Sequence, residues 1–144
     1  MDSENFMWLA VEEAKIAKTN GDLPFGAIIV CDEKVVGTGH AQNNTTGDVT
    51  CHAELIALRN ACKNLGKNDL SNCVIYCTNE PCMMCSAGIF QAGIPKVIIG
   101  ASRKDLPNLL RSRKYNIEHL AEDSSYKIEI VRDLLKDEVL KLFN

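Results

Sequence analysis

Apolar and polar positions along this chain change period several times, and each change marks an element. Phe6, Leu9, Ala10, Ile16 and Ala17 recur at the spacing of one helix face, and Asn20-Gly21 supplies a stop. Residues 25–31 form an unbroken apolar run, and Asp32-Glu33 turns the chain into residues 34–39. That pair reads as a β-hairpin. The polar stretch 42–48 leads into a helix over about residues 52–65, where Leu55, Ile56, Leu58, Ala61, Cys62 and Leu65 suit a helix covered on much of its surface. Residues 73–78 are apolar and β-branched, a buried strand. Pro81-Cys82 opens the next helix, with the proline at or near its first position, and Gly93 ends it. Residues 96–101 make the following strand, so strand, helix and strand form a unit whose strands run parallel.

Beyond that unit the pattern weakens. It gives a short helix around residues 106–111, a strand around 127–131, and a C-terminal helix. In the last, Leu135, Val139 and Leu142 share a face and Asp133 can cap. Helices on both faces of a mixed sheet make the fold class α/β, a three-layer α/β/α sandwich. There is no repeat, linker or low-complexity tract, so residues 1–144 are expected to be a single domain.

Composition narrows the partners. A net charge of −3 gives no electrostatic case for a general nucleic-acid binder, although local patches survive inside an acidic total. The N-terminus is acidic and lacks the basic start and apolar run of a signal peptide, and no stretch reaches the length of a membrane span. The seven cysteines are an odd number in a chain too large to need staples. They read as reduced thiols of a cytoplasmic protein without membrane partners. Cys31, Cys62, Cys73 and Cys77 are expected as buried small apolar residues.

The chemistry concentrates in two short signatures, His52-Ala53-Glu54 and Pro81-Cys82-Met83-Met84-Cys85. One histidine and two cysteines are three good Zn²⁺ ligands, one short of a closed structural site, which leaves a position for water. Cys82 and Cys85, three apart, share a helix face. His52 and Glu54, two apart, reach one site only if the helix end itself points at the metal. Two helix N-termini should therefore converge, and their partial positive charge favours thiolates and hydroxide. Glu54, read as exposed beside the helix start, is the natural proton carrier. Each piece alone has a plainer reading. A Cys-x-x-Cys after a strand also suits a thiol redox protein, and a first-turn glutamate suits the helix dipole. Together they point to zinc catalysis, with a non-hydrolytic redox or zinc-stabilised interaction protein as the rival of another class.

These residues resemble the cytidine deaminase-like superfamily, whose signature is H-x-E followed by P-C-x-x-C. The likeness spans most of the chain. Leu23-Pro24-Phe25-Gly26-Ala27, Asp48 with Thr50, and Glu80-Pro81-Cys82-Met83-Met84-Cys85 resemble the branch of tRNA adenosine, guanine and cytosine deaminases. The resemblance implies zinc ligands His52, Cys82 and Cys85, the proton shuttle Glu54, a five-stranded sheet and a homodimer. It also implies substrate contacts from Phe25, Asn43, Ala53, Glu80 and Pro81. Two departures bear on the substrate. Ala41 stands where the branch typically has a base-gripping asparagine, with Asn43 and Asn44 just downstream. Residues 102–107, Ser-Arg-Lys-Asp-Leu-Pro, replace the small Gly/Ala/Ser-rich loop typical of tRNA enzymes. The leading expectation is therefore deamination of a small nucleobase or nucleoside, with tRNA wobble adenosine as the alternative. Arg103, Lys104, Arg111, Arg113 and Lys114 read as a solvated helix face or as a phosphate site. His40 and His119 are read as structural or surface residues, and Trp8 as packing.

Overall fold

The computed structural model describes residues 2–106, 108–111 and 113–144. Its centre is a five-stranded sheet in the order β2-β1-β3-β4-β5. The strands are β1 Gly26–Cys31, β2 Lys34–His40, β3 Cys73–Asn79, β4 Lys96–Ala101 and β5 Glu129–Val131. β1 runs antiparallel to both β2 and β3, while β3, β4 and β5 are parallel, as the strand–helix–strand reading requires.

Side-chain alternation along the strands builds two cores. Ala27, Ile29, Cys31, Cys73, Ile75, Cys77, Val97 and Ile99 face α3 (Ala53–Leu65), α4 (Met83–Ala92) and α5 (Ile117–Asp123). Ile28, Val30, Tyr76 and Ile98 face α1 (Ser3–Thr19) on the other side, where Val139 of α6 (Lys136–Lys141) also packs against Val11, Ala14 and Ala101. This is the expected three-layer arrangement. Among the described residues no helix is long and apolar enough to cross a membrane.

Three glycines decide how closely the helices approach, Gly26 under α1 and Gly37 with Gly39 under α3. At Gly26 a Cβ would lie 2.1 Å from the carbonyl oxygen of Ala10, so α1 rests its alanines directly on β1. That contact selects the buried face Phe6, Met7, Ala10, Val11, Ala14 and Ala17, and it leaves Leu9, Ile16 and Trp8 exposed. The expected placement of those three against the core is thereby corrected. Gly39 does the same for α3, its Cβ position falling 2.3 Å from the Ala53 carbonyl oxygen at the start of the helix. Gly39→Ala should therefore cost about 3 kcal/mol or more, because backbone must move. Urea unfolding that shifts by much less would show that α3 can ride outward freely.

Several local expectations change. The polar stretch before α3 contains a helical turn, α2 (Asn43–Thr46). It is held by the buried Asp22 carboxylate, which accepts from Asn44 N at 2.8 Å, Thr45 N at 3.2 Å and Thr45 Oγ1 at 2.8 Å. Pro81 precedes α4 instead of opening it, because Cys82, extended at φ −70°, ψ 177°, takes the capping position. The helix expected over 106–111 includes residue 107, outside the described residues. The helical turn sits earlier, at Arg103–Asp105, where Ser102 and Asp105 cap each other and Leu106 leaves helical geometry. α5, unforeseen, is a short helix closed by reciprocal hydrogen bonds between Asn116 and His119. Asp133 does not cap the last helix; it has φ +70°, and Leu135, also left-handed, stands at the cap. Cys62 is half-buried, whereas Cys31, Cys73 and Cys77 are buried as expected.

Candidate metal centre

The sequence puts its chemistry at two helix starts, and the fold brings those starts together. His52 is the capping residue of α3 and Glu54 its second residue; Cys82 caps α4 and Cys85 is its third residue. β3 delivers α4 through the two-residue turn Glu80-Pro81, and the close contact of α3 with β2 places His52 opposite. Nδ1 of His52 lies 3.5 Å from Cys82 Sγ and 3.6 Å from Cys85 Sγ. Zinc–sulfur bonds of about 2.3 Å and zinc–nitrogen bonds of about 2.0–2.1 Å in a tetrahedron imply an N···S separation of roughly 3.6 Å. The three ligand atoms all fall within 4.8 Å of one another, so they fit the ion. Cys51, next to His52 in sequence, is outside this triad.

The protons in the cluster are shared. The hydrogen bond from Cys85 lowers the Cys82 thiol, which favours its thiolate. That same bond to Cys82, with burial next, pushes Cys85 up. The Cys82 sulfur also raises His52 by accepting its ring proton. Burial raises the Glu54 carboxyl to about 7, against the opposing hydrogen bond from Cys85. Zinc binding requires both sulfurs as thiolates and a free ring nitrogen, so the ion would displace these shared protons. Glu54 is buried rather than exposed, which corrects the sequence reading of its environment. The buried Cys77 thiol is raised by burial and then by the Glu54 charge.

The expected substrate contacts divide. Ala53 is buried at the start of α3, and Pro81 is buried before α4, each adjacent to a ligand residue. Phe25 is half-buried, its ring 5.8 Å from that of Phe143 near the C-terminus. Asn43 opens α2, and the neighbouring Gln42 N donates to Cys51 O at 3.0 Å, tying that turn to the segment before His52. Ala41 is buried and carries no polar group. Glu80 is buried and already paired: its Oε1 accepts from Arg132 Nη1 at 2.8 Å and from Arg103 N at 3.1 Å.

Arg132 escaped the sequence reading. It also donates to Ser102 Oγ at 2.6 Å and with two nitrogens to Glu118, joining three segments around the turn before Cys82. These partners are remote in sequence, so no local pattern announces them. The basic residues do not form a helix face. Arg103, Lys104, Arg113 and Lys114 line a cavity of about 340 Å³ together with Glu80, Glu118 and Arg132. Burial, and then the nearby Arg113 charge, lower the Arg103 guanidinium. Both remaining histidines are structural: His40 Nδ1 pairs with Glu13 Oε2 at 2.7 Å, and His119 caps α5.

The description of the zinc-binding region of cytidine and deoxycytidylate deaminases matches residues 1–101. The chain belongs to this family. A tRNA-specific adenosine deaminase of Buchnera aphidicola subsp. Schizaphis graminum is 36% identical over 141 residues, covering 96% of this chain and 89% of that one. A guanine deaminase of Bacillus subtilis is 42% identical over 82 residues, 57% of this chain and 53% of the relative. A solved structure from studies of A-to-I editing by tRNA:A34 deaminases at the wobble position of transfer RNA superimposes with a TM-score of 0.84. It is 29% identical and covers 96% of this chain and 98% of that chain. The family establishes a zinc-dependent hydrolytic deaminase with the cytidine deaminase-like fold.

Proposed function

We propose that this enzyme deaminates adenosine in tRNA to inosine, releasing ammonia. This reverses the order of the two substrates expected from the sequence. The observation that carries it is extent: likeness to a tRNA-specific adenosine deaminase runs over 96% of the chain, against 57% for the guanine deaminase. The basic cavity agrees with a phosphate-bearing substrate, since it lies beside Glu80, two residues before Cys82. Five cations outnumber the two acids there, and one of them, Arg132, already engages both Glu80 and Glu118.

Zinc held by His52, Cys82 and Cys85 would supply the Lewis acidity that makes water nucleophilic near neutral pH. Glu54 takes the proton from that water and gives it to the ring nitrogen beside the amine-bearing carbon. It then shuttles the second proton to the departing amine. Adenosine and water thus become inosine and ammonia, with Glu54 restored at the end. Its burial shields the proton from exchange with bulk solvent between the two transfers.

A second reading, guanine deamination, rests on the 42% identity to the Bacillus subtilis enzyme. One assay separates them. Zinc-loaded protein should form inosine in a tRNA anticodon stem-loop; release of ammonia from free guanine with the stem-loop untouched would replace the first reading by the second. A further consequence concerns the cavity. Arg103→Ala with Arg113→Ala should weaken stem-loop binding about tenfold and flatten its salt dependence by about one unit of slope per lost phosphate contact. Fluorescence titrations at several salt concentrations that show an unchanged slope would remove the cavity from the RNA path.

A further inference from the structure

Among the described residues, one buried side-chain polar atom has no hydrogen-bond partner: Nδ2 of Asn79. Asn79 is the last residue of β3 and is 5% exposed. The orientation of its amide follows from its neighbours. Gly26 N donates to Thr78 Oγ1 at 3.0 Å, and the Thr78 hydroxyl donates to Asn79 Oδ1 at 2.9 Å. With the oxygen held there, both N–H donors of Nδ2 are left unused. Buried donors are almost always satisfied in folded proteins, so an exception at this place calls for a ligand.

The place is the end of β3 that leads into the segment before Cys82. Cys73, Ile75 and Cys77 form the face of β3 that packs against α3 and α4, and strict alternation along the strand assigns Asn79 to the same face. Cys77 lies within electrostatic reach of Glu54, and Asn79 is two residues further along, three before Cys82. β3 therefore carries this amide out of the core toward the convergent starts of α3 and α4, where the reacting base must enter.

We propose that Asn79 is a specificity-determining residue whose Nδ2 donates to a ring nitrogen of a purine substrate. The unmet group is a donor only, so its partner must be an acceptor. Adenosine has such acceptors at N3 and N7, apart from the N1 that Glu54 protonates; guanine, whose amine sits on C2 beside N3, keeps N7. The inference rests on the deaminase reading and on a purine, which adenosine and guanine both are.

The test measures binding, so that it is independent of turnover. Zinc-loaded Glu54→Gln protein, with and without Asn79→Ala, is titrated with stem-loops carrying adenosine, 3-deazaadenosine, 7-deazaadenosine or an abasic site at the target position. Asn79→Ala should weaken the adenosine RNA about 5- to 20-fold. It should leave the abasic RNA, and the one deaza RNA that lacks the accepting nitrogen, unchanged. An equal loss on all four RNAs would make Asn79 a structural residue and overturn the inference. No loss on adenosine would mean that the donor meets water only, and would overturn it too. Asn79→Asp, which keeps the acceptor for Thr78, replaces Asn79→Ala if the latter does not fold. If wild-type protein deaminates guanine and not the stem-loop, the tRNA reading fails by itself. Guanine and its 7-deaza analogue then serve as ligands in the same titrations.

Discussion

Glu54→Gln protein is expected to fold, to keep its zinc, and to deaminate roughly a hundred- to ten-thousandfold more slowly than wild type. Glutamine preserves the shape of the side chain and removes its ability to take and return a proton. The carboxylate serves two transfers in one turnover, so the upper part of that range is the better expectation. Burial alters the stability side of the argument. A buried carboxylate with few partners is a burden on the fold, so its neutral isostere should leave stability unchanged or raise it by about 1 kcal/mol. Metal analysis, thermal melting and single-turnover rates on one preparation measure all three quantities. A variant with bound zinc and a wild-type rate would leave the metal site standing and remove Glu54 from the mechanism.

The contrast between Glu54 and its neighbours shows what the sequence can and cannot convey. The convergence of the two helix starts that carry His52, Glu54, Cys82 and Cys85 was legible because the spacing within each is itself the geometric requirement. The same holds for β1, β3 and β4, whose apolar runs are long enough to specify strands without help. The burial of Glu54 was not legible, because it depends on α3 and α4 meeting on one face of the sheet rather than on any residue near position 54. The buried face of α1 was misread for a related reason. Hydrophobicity favours Leu9 and Ile16, but contact with Gly26 demands alanine, and close packing decides the rotation. Long-range polar pairs form the third class. Arg132 with Glu80, and Gly26 with Thr78 and Asn79, join positions some fifty residues apart. No periodicity encodes such pairs. The C-terminal third is least legible because its elements are short: α5 buries only Ile117 and Ala121, and β5 has three residues.

Removing a ligand should have the other large effect. His52→Ala and Cys85→Ser are each expected to reduce bound zinc from about one per chain to a small fraction, and activity should vanish in proportion. The two helix starts and the turn after β3 are joined to one another through these three side chains, so stability should fall as well. An ion present at a hundred to a thousand times its dissociation constant stabilises the folded state by about 3–4 kcal/mol, and that linkage is lost with the site. The melting temperature of wild-type protein should then drop on chelation to near that of the ligand variants, whereas chelation should hardly move the variants themselves. A redox protein behaves differently: its cysteines would cycle through a disulfide, and chelation would leave both its stability and its activity in place. X-ray absorption on the wild-type protein supplies the structural half of the test, with two sulfur and one nitrogen protein ligands expected. Four sulfur ligands, or a metal-free protein closed by a Cys82–Cys85 disulfide, would mean that the convergent helix starts serve another chemistry. Retained zinc in His52→Ala would be equally decisive. It would show that Nδ1, placed 3.5 and 3.6 Å from the two sulfurs, is not a ligand, and the open coordination position argued from a three-residue site would need a different origin.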